Sequence, residues 1–473
     1  MRKQVPFALG LSILLAATAT PAFAGTIRVD ATVDSPDANP GDGTCLAKAG
    51  GCTLRAAIQE ASAADDASTI QLPGGNYPLH APDEGEYAAG GVLFLAGEIT
   101  VSGEDSDLVV IDGGGKARIL EISKGATVSI SGVTLRNAFG EGETGAAITN
   151  RGTLTLDGAV LRDNRAKTDP LVPAGRGAAL LNLGTATVRD ATFEGNRSDG
   201  RGGAVYTAEG AALDVLGTSF TANTSLTDSG GALASAGTTR LTLVSFVKNK
   251  AENGGAIDVV GGTLSLKDVS CVDNTSDVGG GAIRSAGELL AVNVTLSGNV
   301  AGVSGGGIWT TGTGHSTLNN VTIANNRAGT ADGRKGSGGG IASDPGATTT
   351  IGNSIIAANA SGTGKGPDCA GRLDSRGYDL LQDPAGCALV GDKTGNVIGQ
   401  EARLAALDAA SSPTAVVPLD AGSPAIDAGN PARPTGDDGS CAPVDQRGVT
   451  RPQAAAGPEA RCDIGAFEVK PAS

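Results

Sequence analysis

"SFVKNKAENGGAID", Ser245 to Asp258, sets an aromatic residue three places before an Asn, and a Gly-Gly-Ala-Ile phrase five places after it. Its neighbours repeat that order. The Asn recurs at Asn137, Asn164, Asn196, Asn223, Asn249, Asn274, Asn299, Asn326 and Asn359, at intervals of 27, 32, 27, 26, 25, 25, 27 and 33 residues. The glycine phrase tracks it as "GAAIT", "GAALL", "GGAVY", "GGALA", "GGAID", "GGAIR", "GGGIW" and "GGGIA", with apolar residues at Ile148, Leu180, Val205, Leu233, Ile257, Ile283, Ile308 and Ile341. A third segment alternates apolar and polar, as in "LTL" before Phe246 and "LSL" before Cys271.

Alternation over such short runs reads as strands, with Gly and Asn as turns. Units this short leave no room for an ordinary helix. Strands that return in one direction every unit must stack as parallel coils about 4.8 Å apart. The expected fold is all-β, a right-handed parallel β-helix. Ile, Leu, Val and Ala form its inward stack, and each coil is covered only by its neighbours. Asn is expected to hold the left-handed turn while stacked amides bond to one another, and Gly-Gly to turn the opposite corner. Two units are lengthened, by "KTDPLVPAGRG" (Lys167–Gly177) and "GTADGRKGSGGG" (Gly329–Gly340), which read as loops leaving one corner.

The Phe-x-x-Asn units at Phe193/Asn196, Phe220/Asn223 and Phe246/Asn249, alternating with Gly-Gly-Ala-(Ile/Leu/Val), resemble the repeats of chlamydial polymorphic outer-membrane proteins. The resemblance implies a β-helical passenger with an adhesive role. "CTLRAAIQEA" (Cys52–Ala61) resembles the CSLREA domain, with Ala56 where that family has Glu. Leu54, Ala57, Ile58 and Ala61 would share one face of a short helix that caps the solenoid. "SPAIDAGNP", "DQRGVTRP" and "CDIGAFE" resemble the choice-of-anchor Q region of bacterial surface proteins. The chain thus divides into a leader (1–24), a cap (25–69), the β-helix (70–360) and a C-terminal region (361–473).

The leader has Arg2 and Lys3, an apolar run and Ala22-Phe23-Ala24, the pattern of a cleaved export signal. Its removal moves the net charge from −15 to −17, since it holds no acid. Such a surface repels phosphate backbones, so nucleic acid is not an expected partner. Anionic polymers are disfavoured too, unless a local basic patch reverses the field. No further transmembrane segment is expected, and the mature chain reads as a monomer. Gly 74 and 3% aromatic content suit a structure of many tight turns. Seven cysteines fit an exported chain, and three local pairs are expected: Cys45–Cys52, Cys369–Cys387 and Cys441–Cys462. Cys271 stands where Phe246 stands one coil earlier and reads as a buried small hydrophobe.

Only His80 and His315 are present, so a histidine-based triad or metal site is not expected. The place after the inward apolar residue of each glycine phrase is more informative. It holds Tyr206, Ala234, Asp258, Arg284, Trp309 and Ala342 in successive coils. Such a row sets Tyr206, Asp258, Arg284 and Trp309 on one outward face, a pattern suited to sugars. The expected function is that of an exported, adhesin-like interaction protein. Its partner would be an extracellular polysaccharide or another cell-surface component. The alternative is a polysaccharide lyase or glycoside hydrolase with Arg284 as base beside Asp258. The plainer reading is a solvated face with a salt pair and Trp309 tucked beneath the loop after Asn326. Asp34, Asp37, Asn39 and Asp42 in "DSPDANPGDG" offer close-set oxygens to a calcium ion, the plainer reading being a solvated acidic turn whose spacing does not match the EF-hand loop.

Overall fold

The computed structural model describes residues 25–80, 91–142, 145–169, 175–329, 335–362, 366–436, 439–453 and 461–470. The leader over 1–24 and the tips of both long loops, 170–174 and 330–334, lie outside the described residues. The chain winds as a right-handed parallel β-helix of about 11 turns. Each middle coil lays strands on three faces. One face stacks the glycine-phrase strands, such as Leu233–Ser235, Ile257–Val259 and Ile283–Ser285. A broad face takes the alternating strand and the short strand after it, such as Thr238–Thr242 and Ser245–Val247. A narrow face of nine strands follows the Asn, from Phe139–Glu141 to Ala360–Ser361.

The interior follows from exact repetition. Ile257, Ile283 and Ile308 meet rung on rung and are buried. Phe193, Phe220 and Phe246 stack with ring centroids 4.6 and 4.8 Å apart, near the spacing of the rungs themselves. Cys271 continues that stack in register with Phe246, fully buried and unpaired, and burial pushes its thiol far above its ordinary range.

The Asn row is a continuous ladder, with two revisions. Asn249 donates from its backbone N–H (2.9 Å) and its Nδ2 (3.0 Å) to Oδ1 of Asn274, and from Nδ2 to the Phe220 carbonyl (3.0 Å). The pattern runs through Asn164, Asn196, Asn223, Asn249, Asn274, Asn299, Asn326 and Asn359. Asn137 is not a member. It donates outward to Asp112, and the ladder place in its coil belongs to Ala138, whose N–H meets Asn164. Nor does the ladder Asn hold the left-handed turn. The residue before it does, as at Ala222 (φ 55°) and Lys248 (φ 56°), which frees the amide to point inward. The row ends at Asn359, whose N–H and Nδ2 donate to the Asp368 carboxylate. A carboxylate, which only accepts, suits the donor end of the row. Burial pushes the Asp368 carboxyl up to about 6.

Gly-Gly acts at the opposite corner as expected. Gly254 has φ 58°, and a Cβ on Gly255 would lie 2.2 Å from the Gly281 carbonyl oxygen, so adjacent coils could not close over any larger residue.

The helix Leu54–Ala63 covers the N-terminal end, with Leu54, Ala57, Ile58 and Ala61 buried against the first coils. Thr53 caps it by accepting the Ala56 N–H. The other end extends further than expected. Coils continue past residue 360 through Cys369–Arg376, Cys387–Asp392 and Val397–Ile398. The remaining chain turns back along the broad face. There Asn293, Asn320 and Asn353, each at positive φ, bond to Val444, Ala442 and Gly439. All three expected disulfides form.

Candidate functional site

The glycine-phrase face brings the predicted row together. Tyr206, Ala234, Asp258, Arg284, Trp309 and Ala342 are strict rung partners. Their side chains leave the coil interior because period-2 alternation points the preceding Val, Leu or Ile inward. Leaving the interior is not the same as reaching solvent. Asp258 is 0% exposed, which corrects the expectation that it faces out. Arg284 lies over it and donates Nε to Oδ1 (2.6 Å) and Nη2 to Oδ2 (2.9 Å). Ser229, from the preceding coil's approach to its glycine phrase, donates to the same Oδ2. Burial pushes the Asp258 carboxyl up, against the pull of the guanidinium and the serine hydroxyl. With both oxygens engaged, this pair is a closed fork, and neither partner is free to carry a proton.

Trp309 is half-buried and rests on Gly279, where even a Cβ would enter its ring. Its indole N–H donates to Asp344 (3.0 Å). That seat lies against Gly279 and Asp344 of neighbouring coils, and the tip of the loop after Asn326 lies outside the described residues. Tyr206 is 6% exposed, packed with Leu181 and Ala234, and the Arg176 guanidinium lies 5.0 Å from its ring centre.

Beside Tyr206 the corner opens into a groove of about 700 Å³. Arg201, Tyr206, Glu209, Thr238 and Val260 line it, with the glycines of three coils as its floor. Arg201 is paired with Asp228 (3.1 Å) at the rim. An aromatic, a cation and an exposed carboxylate therefore converge on a space of ligand size. The row in the sequence gave Tyr206 but neither Arg201 nor Glu209. Those two sit before and after the strand, so alternation along one face carries no signal for them.

The carboxylates of the N-terminal acidic turn are engaged within the cap. Asp34 pairs with buried Arg55 (2.6 and 3.0 Å) and accepts the His80 N–H. Asp37 accepts the Asn39 and Leu46 N–H groups, and Asp42 accepts that of Thr44. These carboxylates hold the cap together. Among the described residues no three His, Cys, Asp or Glu side chains gather as a metal set. His80 and His315 are both exposed and far apart in the fold's order of coils.

Comparison with known proteins touches the same face. The Chlamydia polymorphic membrane protein (Chlamydia_PMP) repeat matches residues 190–208 and 293–311. Each match runs from an apolar-x-x-Asn unit through a glycine phrase, and they take in Tyr206 and Trp309 respectively. No curated protein sequence matches the chain. Among solved structures, the catalytic unit of the thermostable GH87 alpha-1,3-glucanase from Streptomyces thermodiastaticus strain HF3-3 is similar at 14% identity. That likeness covers 79% of this chain and 72% of the other with a TM-score of 0.29, too low to transfer chemistry. Among the described residues no helix is long and apolar enough to cross a membrane.

Proposed function

We propose that the protein is an exported β-helical interaction protein that binds an extracellular carbohydrate through its glycine-phrase face. The observation that carries this reading is the groove beside Tyr206, where a largely covered ring, the Arg201 guanidinium and the Glu209 carboxylate line a floor of glycines. Sugars present apolar ring faces and rows of hydroxyls, which such a trio takes without any acid–base step. Three disulfides suit an oxidising location outside the cytoplasm. The match to a repeat of a family of membrane proteins is compatible with a cell-surface setting. Lyase or hydrolase chemistry gains no support from the row, because a base must be free to take a proton, and Arg284 is forked onto Asp258.

A glycan array followed by titration of the strongest hit tests the proposal. Tyr206→Ala should weaken binding roughly tenfold, and Tyr206→Phe should retain most of it. Binding unchanged in Tyr206→Ala would remove the groove from the account. Release of unsaturated uronate or new reducing ends from a bound polymer would replace the binding role with an enzymatic one.

A further inference from the structure

A second surface, on the narrow face, has a different chemistry. Its first outward row places Phe139, Arg165 and Arg197 on consecutive rungs, in strict register. Rungs are about 4.8 Å apart, so the two arginines stand directly one over the other. Like charges in that relation destabilise a sheet. Elsewhere on these coils the problem is removed by pairing. Lys167 meets Glu141 (3.0 Å), Arg201 meets Asp228 (3.1 Å), and Lys250, in the row of Arg165 and Arg197, meets Asp277 (3.7 Å). Arg165 and Arg197 are exposed and have no ion pair among the described residues. Across the arch, Arg162 keeps a buried Nε without a partner. Two exposed cations, Arg165 and Arg197, are thus left without an ion pair among the described residues, one rung apart in a chain of net charge −15.

The row is concave at its Phe139–Arg165 end. A groove of about 630 Å³ is lined by Asp112, Asn137, Phe139, Asp163 and Arg165, with Pro78 and Gly114 at its edge. Phe139 is only partly covered and offers an apolar surface. Asp112 does not cancel the arginines, because it is spent on Arg136 (2.7 Å), Asn137 (3.1 Å) and the Gly114 N–H (2.9 Å). Burial raises its carboxyl, but those donors more than offset this and hold it below the usual range. Asp163 is the exposed carboxylate on the rim, suited to a hydroxyl.

We propose that this face binds an acidic polysaccharide, with Arg165 and Arg197 on the anionic groups of successive sugars and a ring face on Phe139. Carboxylate and sulfate offer the same planar or tripodal oxygen acceptors to a guanidinium, so either could supply the charge. This surface is separate from the Tyr206 groove and does not depend on it.

The full chain is titrated with polygalacturonate and, separately, with dextran sulfate, at low and at physiological salt. At least one polymer should bind, and more weakly as salt rises. The double variant Arg165→Glu/Arg197→Glu should lose roughly tenfold or more in affinity. Arg165→Lys/Arg197→Lys should keep most of it, and Tyr206→Ala should not change it. Melting curves matching the parent establish that the surface variants fold. Binding of polygalacturonate alone would assign carboxylate as the anion, and binding of dextran sulfate alone would assign sulfate. No binding of either at low salt, or equal binding by the charge-reversed variant, would overturn the proposal. Loss in Tyr206→Ala with retention in the double arginine variant would place acidic glycans in the other groove and overturn it as well.

Discussion

Asn249 and Arg451 are almost equally hidden, at 1% and 3% exposed, yet they find their partners by opposite means, and Arg451 keeps a buried Nε without one. Asn249 draws on copies of itself and on the Phe220 carbonyl of the coil before. The residue one coil back donates to it, and it donates to the residue one coil on. Arg451 has no repeat to draw on. It donates to the carbonyls of Asp463 (2.8 Å) and Gly465 (2.8 Å) and pairs with Glu468 (3.3 Å). Arg447 and Asp445 pair alongside and meet Glu468 through its backbone. Repetition makes burial of a polar group locally solvable, since each new coil brings the missing partner. Without repetition the partners must be gathered from several separate segments, and removing one strands the others.

That contrast can be broken most severely at Arg451. Arg451→Ala leaves Glu468 and Asp463 buried without their cation and should cost about 3–5 kcal/mol. Denaturant melts should show the loss. Limited proteolysis should show the C-terminal region leaving first while the middle coils persist. Within the ladder the cost should depend on position. Asn249→Ala orphans the N–H and Nδ2 of Asn223 and should cost about 2–4 kcal/mol. Asn164→Ala, at the open end, takes an acceptor only from the Ala138 N–H and should cost about 1–2 kcal/mol. Equal losses at the two sites would mean that the amides act singly and not as a row.

Asp379 sharpens the comparison from a third side, having neither an amide row nor a cation. Among the described residues its carboxylate accepts only from the Ser375 hydroxyl and the Ser354 N–H, and burial pushes it up to about 7. A raised carboxyl binds its proton more tightly folded than unfolded. Its favourable contribution is therefore complete at low pH and is lost as pH rises between about 4 and 7. Glu468, also pushed by burial to about 7, has the same sign. The melting temperature should fall from pH 5 to pH 8, and less steeply in Asp379→Asn. A rise over that range would sink the assignment. The smallest effect belongs to Asn137, which has the ladder residue type but not its place. Asn137→Gly suits its φ of 51° and should change stability by less than about 1 kcal/mol, read from the same melts.

Much of the coil was legible because stacking punishes any departure from the repeat. Phe246, Gly255 and Ile257 each meet an equivalent one rung away, so their order in the sequence is the order of the fold. The register of the outward row, from Tyr206 to Ala342, was legible for the same reason. Asn137 shows the limit. An Asn one place early looks like the repeat, and only the αL arch and its bond to Asp112 reveal the offset.

The sequence by itself determined the coil, its three local disulfides and which residues turn away from the interior, because those follow from period and spacing. Only the tertiary structure decided which of them meet solvent. Asp258 is sealed by Arg284 and Ser229, Asp34 is spent on Arg55, and Arg165 stands unpaired over Arg197. Exposure and pairing depend on what the neighbouring coils and returning segments lay across a side chain, and a one-dimensional repeat does not specify that.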